Sequence, residues 1–253
     1  MRTRPSEKYY RDTAKYYDLF AYRPDEQFFK EIAKRYGSPI LELACGTGKI
    51  SLLLAEEGYQ TVGVDLSQEM LEIAREKLQQ LSDDVQSRVA LHRRDITNFN
   101  LERKFALVII PSAFKFLLST EDQLDCLKHV REHLLDDGVF VLDLYPGEVT
   151  DQQGTHITEP IELDGMKLVK TYKYSNDLNT QLRHWDVEIS KTHPDGSEEQ
   201  IKTQSTTSLI MPREADLLLK LAGFEIVEEY GGWEFGTYTP ETWTRILVLK
   251  KQH

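Results

Sequence analysis

The most constraining feature of the sequence is a glycine turn between an apolar run and a helical pattern. Residues 40–48 read Ile-Leu-Glu-Leu-Ala-Cys-Gly-Thr-Gly, and a second apolar run ends at Asp65, seventeen residues after Gly48. Because Gly46 and Gly48 carry no Cβ, a ligand can approach the backbone of the turn closely. A carboxylate at a strand end can accept hydrogens from two ribose hydroxyls. The pattern predicts a βαβ unit that binds a nucleoside-containing cofactor at the carboxyl ends of its strands.

The turn lacks the features of common phosphate-binding loops. Lys49-Ile50-Ser51 follows Gly48, so the third glycine of a Gly-x-Gly-x-x-Gly dinucleotide fingerprint is missing, and no Gly-Lys-Ser/Thr loop is formed. Glu42, at the mouth of the turn, would repel an anion and favour a cationic ligand. A dinucleotide-dependent oxidoreductase is therefore disfavoured, although it stays a second interpretation.

Five segments in chain order resemble motifs of the class I S-adenosylmethionine-dependent methyltransferases. They are Glu42-Leu-Ala-Cys-Gly-Thr-Gly48, Val62-Gly-Val-Asp65-Leu66-Ser67 with Met70, Arg94-Asp95-Ile96, Phe105-Ala-Leu-Val-Ile-Ile110 and Gly138-Val-Phe-Val-Leu-Asp143. The resemblance covers roughly residues 9 to 145 and resumes at the C-terminus. It implies that the cofactor is S-adenosyl-L-methionine and that the chain methylates a small-molecule acceptor at nitrogen or oxygen. A non-catalytic domain that binds the same cofactor is the alternative.

The resemblance implies a cofactor site made of residues from five segments. Its expected members are Tyr17, Glu42, Ala44, Gly46, Gly48, Asp65, Leu66, Met70, Asp95, Ile96 and Pro111. The backbone of the turn would hold the methionine moiety, with Glu42 at its amino end and Tyr17 closing over it. Tyr17 could instead only fasten the N-terminal helix.

The same resemblance assigns the nucleoside end of the cofactor. Asp65 would bind the ribose hydroxyls, and Leu66 and Met70 would pack on the adenine. Asp95 would accept a hydrogen bond from the adenine amine, and the Ile96 amide would donate one to a ring nitrogen. Asp65 could instead be a helix N-cap, and Met70 an ordinary core residue.

Strand-length apolar runs alternate with helical patterns over the first 145 residues. The alternation predicts an α/β fold with a doubly wound, seven-stranded, mostly parallel sheet that resembles the Rossmann-like methyltransferases. The last two strands, 224–230 and 245–250, are expected to be antiparallel at one edge. Helical structure is expected over 9–36, broken into two pieces at Pro24, and over 122–135, the latter followed by a strand from Val139.

Helical periodicity disappears between about residues 155 and 210. Trp185, Val187 and Ile189 alternate with polar residues, as in a half-exposed strand. We predict an inserted antiparallel cap of three or four strands. The chain is then divided into a cofactor-binding core, 1–150 and 211–253, and an inserted cap, 151–210.

The acceptor is expected above the carboxyl ends of the fourth and fifth strands. The candidate walls of its pocket are Ser112, Phe114, Phe116, Tyr145, Tyr172 and Trp185. The inserted sheet and the segment 231–236 resemble small-molecule N-methyltransferases. Many of these place Asn or His after the fourth strand, whereas this chain has Pro111-Ser112-Ala113-Phe114-Lys115. No catalytic residue is assigned.

Composition limits the partners that the chain can have. A net charge of −11 disfavours nucleic acid and anionic membranes, because both are negatively charged. Two cysteines and seven histidines show no metal-ligand spacing, so no metal site is predicted. No apolar run reaches the roughly twenty residues of a spanning helix, and the N-terminal residues lack a signal-peptide core. We expect a cytoplasmic monomer or homodimer that acts on a small molecule.

Overall fold

The computed structural model describes residues 5–20, 25–149 and 152–252. Its strands are β1 (Ile40–Leu43), β2 (Thr61–Asp65), β3 (Val89–Arg93), β4 (Phe105–Ile110), β5 (Leu134–Leu144), β6 (Gln153–Ile157), β7 (Ile161–Leu163), β8 (Met166–Asp177), β9 (Leu182–Thr192), β10 (Glu198–Ser208), β11 (Phe224–Tyr230) and β12 (Arg245–Lys251). Its α-helices are α1 (Pro5–Thr13), α2 (Glu26–Tyr36), α3 (Lys49–Glu56), α4 (Gln68–Gln79), α5 (Asp83–Gln86), α6 (Thr120–His133) and α7 (Pro212–Leu221). Short 3-10 turns lie at Ala14–Tyr16, Asp18–Phe20, Phe114–Phe116 and Pro146–Val149.

The predicted seven-stranded sheet is confirmed, with the order β11-β12-β5-β4-β1-β2-β3. Strands β1 to β5 pair in parallel, and β12 pairs antiparallel with both β5 and β11. The strand order reverses beside β1, where β4 lies on one side and β2 on the other. In such sheets a crevice for ligands forms at the carboxyl ends of the strands flanking the reversal.

Both faces of the main sheet are covered by helices, because its central strand β4 is apolar at every position. In β4, Val108 and Ile110 face the cluster that includes helices α6 and α7. Leu107 and Ile109 face the opposite cluster, which includes helices α2 and α3. All four side chains are buried, and burial of each contributes about 1.5–3 kcal/mol to folding. This double cover holds the strand ends rigidly below the crevice.

Two helix predictions differ in detail from the structure. The helical segment 9–36, expected in two pieces, consists within the described residues of α1, two 3-10 turns and α2, and it begins earlier, at Pro5. Pro24, where the break was predicted, lies outside the described residues. Helix α6 begins at Thr120, where the Ser119 hydroxyl accepts a hydrogen bond from the Asp122 amide, and it ends at His133. Strand β5 then begins at Leu134 instead of Val139, because a shift in the pairing of β4 with β5 accommodates the polar segment before Val139.

The inserted antiparallel sheet has five strands, where three or four were predicted. Its order is β10-β9-β8-β6, and the short β7 also pairs with β8. Helix α1 packs on β10 and also contacts α4, which packs against β2 and β3 of the main sheet. The proposed division at 150 and 151 lies outside the described residues, so the two-domain description stays a prediction. Within the described ranges, none of the helices has the length and apolar character needed to cross a bilayer.

Candidate functional site

A cavity lies at the carboxyl ends of β1, β2 and β4, below helix α1. Its volume is about 110 Å³. Its walls are Ser6, Glu7, Tyr10, Tyr17, Glu42, Ala44, Cys45, Gly46, Asp65, Leu66, Ser67, Met70, Asp95, Ile96, Pro111, Ser112, Ala113, Phe116 and Leu117. We call it the main cavity. All predicted cofactor residues except Gly48 therefore line one space.

The two glycines of the turn occupy their positions for different structural reasons. Gly46 lines the main cavity, has φ +56°, and a Cβ there would meet nothing within 4 Å. Gly48, with φ +76°, lies away from the cavity, and a Cβ there would come within 3.0 Å of the Ala74 Cβ on α4. Gly46 thus leaves room beside the cavity, whereas Gly48 allows close packing of two helices.

Asp65 ends β2 with its carboxylate held by backbone donors. Oδ2 accepts a hydrogen bond from the Gly46 amide at 2.8 Å, and Oδ1 accepts one from the Ser67 amide at 2.8 Å. Desolvation raises the pKa of this carboxyl, while the amide donors oppose the rise. A carboxylate has about four acceptor positions, so these two bonds leave capacity for ligand hydroxyls. The Ser67 hydroxyl caps α4 by accepting a hydrogen bond from the Met70 amide.

Glu42 lies deeper than the mouth of the turn. It is only 3% exposed, and its Oε2 accepts hydrogen bonds from the Ser51 amide at 2.8 Å and the Ser51 hydroxyl at 2.5 Å. The side chain therefore joins β1 to the first turn of α3 while forming part of the cavity wall. Its negative charge still favours a cationic group in the adjacent space.

Acidic and apolar residues form the opposite end of the main cavity. The Oδ1 atom of Asp95 accepts hydrogen bonds from the amide and hydroxyl of Thr97 at 2.9 and 2.8 Å. Leu66 and Ile96 line the space, and Met70 does so although it is only 1% exposed. Met70 is thus both a core and a wall residue. A flat heterocycle with hydrogen-bonding edges would suit this combination of apolar and acidic groups.

Helix α1 forms a roof that the sequence interpretation missed. Ser6, Glu7 and Tyr10 of this helix line the main cavity together with Tyr17. The Tyr10 ring packs edge-on against Tyr17 and Phe116, with ring centroids 6.1 and 5.5 Å apart. The signal available in the sequence was the pair of tyrosine doublets at 9–10 and 16–17, which predicted a helix face but not its destination.

A second space, lined largely by aromatic residues, adjoins the main cavity. We call it the aromatic cleft; its walls are Tyr9, Tyr10, Lys115, Phe116, Tyr172, Trp185, Val187, Ser205 and Thr207. Tyr10 and Phe116 line both spaces and therefore stand between them. The Trp185 indole donates to the Thr207 hydroxyl at 3.0 Å, which fixes the orientation of that ring. Of the predicted acceptor residues, the cleft contains Phe116, Tyr172 and Trp185.

The remaining predicted acceptor residues, Ser112, Tyr145 and Phe114, lie in three different places. Ser112 lines the main cavity with φ +55°; its amide donates to Asp143 at 2.7 Å, and its hydroxyl lies 2.6 Å from the Tyr145 hydroxyl. Tyr145 faces a smaller cleft behind Ser112. Phe114 is 2% exposed and belongs to the core beneath α6, so its assignment to the pocket wall was wrong.

The chain is similar to methyltransferases in sequence. A family model described as a methyltransferase domain matches residues 40–138. A glycine/sarcosine N-methyltransferase of Aphanothece halophytica is 33% identical over 231 residues, which covers 89% of this chain and 81% of that protein. The putative methyltransferase YqeM of Bacillus subtilis is 34% identical over 139 residues, 54% of this chain. The chain spans about half the length of several curated relatives, including 55% of YqeM.

The fold is similar to that of solved structures along nearly the whole chain. The CcbJ methyltransferase from Streptomyces caelestis superposes with a TM-score of 0.79 at 24% identity, covering 95% of this chain and 96% of that one. This likeness includes the inserted sheet as well as the main sheet, because the overlap leaves out only a small part of either chain.

Proposed function

Because this chain belongs to the class I S-adenosylmethionine-dependent methyltransferases, we propose that it transfers a methyl group from S-adenosylmethionine to an amine nitrogen of a small molecule. The observation that carries the proposal is the contact between two spaces, a main cavity walled by the family's motif residues and an aromatic cleft beside it. One space can hold the cofactor and the other the acceptor, with Tyr10 and Phe116 at their junction.

The walls of the main cavity suit the chemistry of the cofactor. We assign the ribose to Asp65, whose carboxylate is held in place by two amides. We assign the adenine to Asp95, Ile96, Leu66 and Met70, and the methionine end to Glu42, Ala44, Gly46, Tyr17 and Pro111. When bound, S-adenosylmethionine supplies a methyl group activated by the positive charge on its sulfur.

The protein's own contribution would be mainly positioning. Alignment of two reacting groups can supply about 7–11 kcal/mol of the barrier, and the aromatic rings that line the cleft restrict the orientations of an acceptor. Electron-rich ring faces attract cations, so Tyr10, Tyr172 and Trp185 suit an amine that arrives protonated. Ser112, at the end of β4, adds a hydroxyl to the wall of the main cavity.

An amine acceptor also agrees with what the relatives are named for. The Aphanothece protein is a glycine/sarcosine N-methyltransferase, and a relative from Streptomyces venezuelae is an amino-sugar N,N-dimethyltransferase. Oxygen methylation is the second form of the same proposal. A non-catalytic cofactor-binding protein would retain the main cavity and give no turnover.

We further propose that the chain works in the cytoplasm, as a monomer or homodimer, without nucleic acid or membrane. Cys45 and Cys126 are buried free thiols, which suits a reducing compartment. The net charge of −11 opposes binding to polyanions. We retain 151–210 as an inserted cap, because its sheet contributes Tyr172, Trp185, Ser205 and Thr207 to the aromatic cleft.

The test is binding followed by turnover. Calorimetry should show binding of S-adenosylmethionine but not of NAD to the purified chain. Labelled cofactor should then pass its methyl group to at least one of glycine, sarcosine, an amino sugar or a short peptide with a free amino terminus. Cofactor binding without transfer to any amine or alcohol in a broad panel would contradict the enzymatic proposal, and preference for NAD would contradict the cofactor assignment.

A further inference from the structure

Lys170 is a buried cation without a carboxylate partner. It lies on β8, is 2% exposed, and its Nζ donates a hydrogen bond to the Tyr9 hydroxyl at 3.1 Å. In the part of the chain that the structure describes, no carboxylate forms an ion pair with it. Lysine is almost never fully buried unless it is paired, because the loss of hydration of the ammonium group is costly.

Aromatic rings take the place of a counter-ion around this ammonium group. Nζ lies 4.8 Å from the ring centroid of Tyr172 and 5.4 Å from those of Tyr9 and Phe20. Such contacts compensate only part of the lost hydration. Desolvation accordingly lowers the pKa of Lys170 to about 8, so a substantial neutral fraction exists under mildly alkaline conditions.

The lysine lies directly behind the wall of the aromatic cleft. Tyr9 and Tyr172 line that cleft, while Tyr17 lines the main cavity. The titratable groups that contact Lys170 are Tyr9 from α1 and Tyr172 from β8. Its pairing partner on β9 is the apolar Ile189.

Other proton acceptors near the two spaces are engaged or distant. No carboxylate or histidine is among the described residues that line the aromatic cleft. In the main cavity, Glu42 bonds Ser51, and Asp65 bonds two amides. Asp95 accepts two hydrogen bonds from Thr97, and Glu7 forms an ion pair with Arg93 at 3.8 Å. Lys115 also lines the cleft, but its Nζ contacts the Tyr145 ring face, 4.3 Å from the ring centroid.

We propose that Lys170, acting through the Tyr9 hydroxyl, takes the proton that an acceptor amine must lose before methylation. This inference rests on the proposed function. The N–H bond of the acceptor ammonium breaks, its proton moves to the Tyr9 oxygen, and the original Tyr9 proton moves to the neutral Lys170 amine. Tyr9 is unchanged at the end, the acceptor regains its lone pair, and Lys170 becomes an ammonium group. Lys170 returns the proton to solvent by the reverse path after the acceptor leaves.

A purely structural role for Lys170 makes different predictions. If the ammonium only fastens α1 to the inserted sheet through its contacts with rings, Lys170→Arg should preserve function, since arginine also binds ring faces. Arginine cannot be deprotonated in proteins, so the same variant should abolish proton transfer. Lys170→Arg therefore separates the two roles.

The test compares rates across pH for the wild type, Lys170→Arg, Lys170→Met and Tyr9→Phe, with glycine, sarcosine and glucosamine as acceptors. All three variants should lose at least about tenfold in kcat at pH 7.5, the lower end of general-base effects. The loss should shrink toward pH 9.5, where more acceptor is already neutral. The double variant of Tyr9 and Lys170 should lose no more than either single variant. Lys173→Met, on the exposed face of the same strand, is the matched control and should behave as wild type.

A second measurement is independent of turnover. The ¹³Cε resonance of Lys170, identified by its loss in Lys170→Arg, should titrate near pH 8 in the cofactor-free protein. Titration near 10.5, a wild-type rate in Lys170→Arg, or a pH-independent deficit in the variants would overturn the relay. If none of the three amines is methylated, the proposed function fails for them, and the titration alone still decides whether Lys170 can accept a proton.

Discussion

Replacement of Lys170 by methionine should change how the stability of the protein depends on pH. The pKa of Lys170 is about 8 in the folded chain, against an ordinary value of 10.5. As pH rises, the folded chain loses this proton before the unfolded chain does. Between these two values the unfolded chain binds more protons, so the free energy of unfolding increases with pH. Lys170→Met removes the titrating group and with it this increase.

The size of the effect follows from the two pKa values. At 1.36 kcal/mol per pKa unit, the buried ammonium group costs about 3.4 kcal/mol when the lysine is charged in both states. About 2 kcal/mol of this cost is removed between pH 7 and pH 9.5, because the folded chain is then mostly neutral at this position. Compared with the wild type, Lys170→Met should therefore gain free energy of unfolding at pH 7. This advantage should shrink by about 2 kcal/mol between pH 7 and pH 9.5.

Urea unfolding at a series of pH values measures this difference directly. Subtracting the variant from the wild type cancels the titration of groups that both proteins share, and Lys173→Met serves as a control on the same strand. A difference that stays constant from pH 7 to pH 9.5 would mean that the Lys170 ammonium is well solvated or paired. The reasoning about its burial would then be wrong, and so would the proton relay built on it.

Other substitutions test the cofactor site and the core. Asp65→Ala should weaken S-adenosylmethionine binding at least tenfold by calorimetry, and should also cost about 1–3 kcal/mol of stability because two amides lose their acceptor. Gly46→Ala should lower cofactor affinity more than stability, since its methyl group would enter open space beside the cavity. Gly48→Ala should do the opposite and lower the melting temperature, because its Cβ would crowd Ala74. Arg245→Met should destabilise by about 1–2 kcal/mol in urea, since the guanidinium bonds the Asp216 and Glu229 carboxylates, which stay in contact with water when it is removed; unchanged unfolding would contradict this contribution.

Local patterns in the sequence were sufficient to predict the main sheet, and the family resemblance named many of the residues that line the main cavity. Strands such as β4 are apolar at consecutive positions, and only a sheet covered on both faces can bury such a strand. Asp65 is the last residue of β2, and Asp95 lies just after the end of β3. Because the carboxyl ends of parallel strands meet at one edge, their positions along the chain already bring them to one crevice.

Packing between segments far apart in the chain determined the features that local patterns did not predict. The destination of α1, the burial of Phe114 and the start of β5 depend on contacts between segments far apart in the chain, which short-range periodicity does not encode. Gly46 and Gly48 look equivalent in the sequence, yet one borders a cavity and the other a helix. Lys170 looks like one more lysine on an alternating strand. Only the folded chain surrounds it with Tyr9, some 160 positions earlier in the sequence, and removes the water that keeps an ordinary lysine charged.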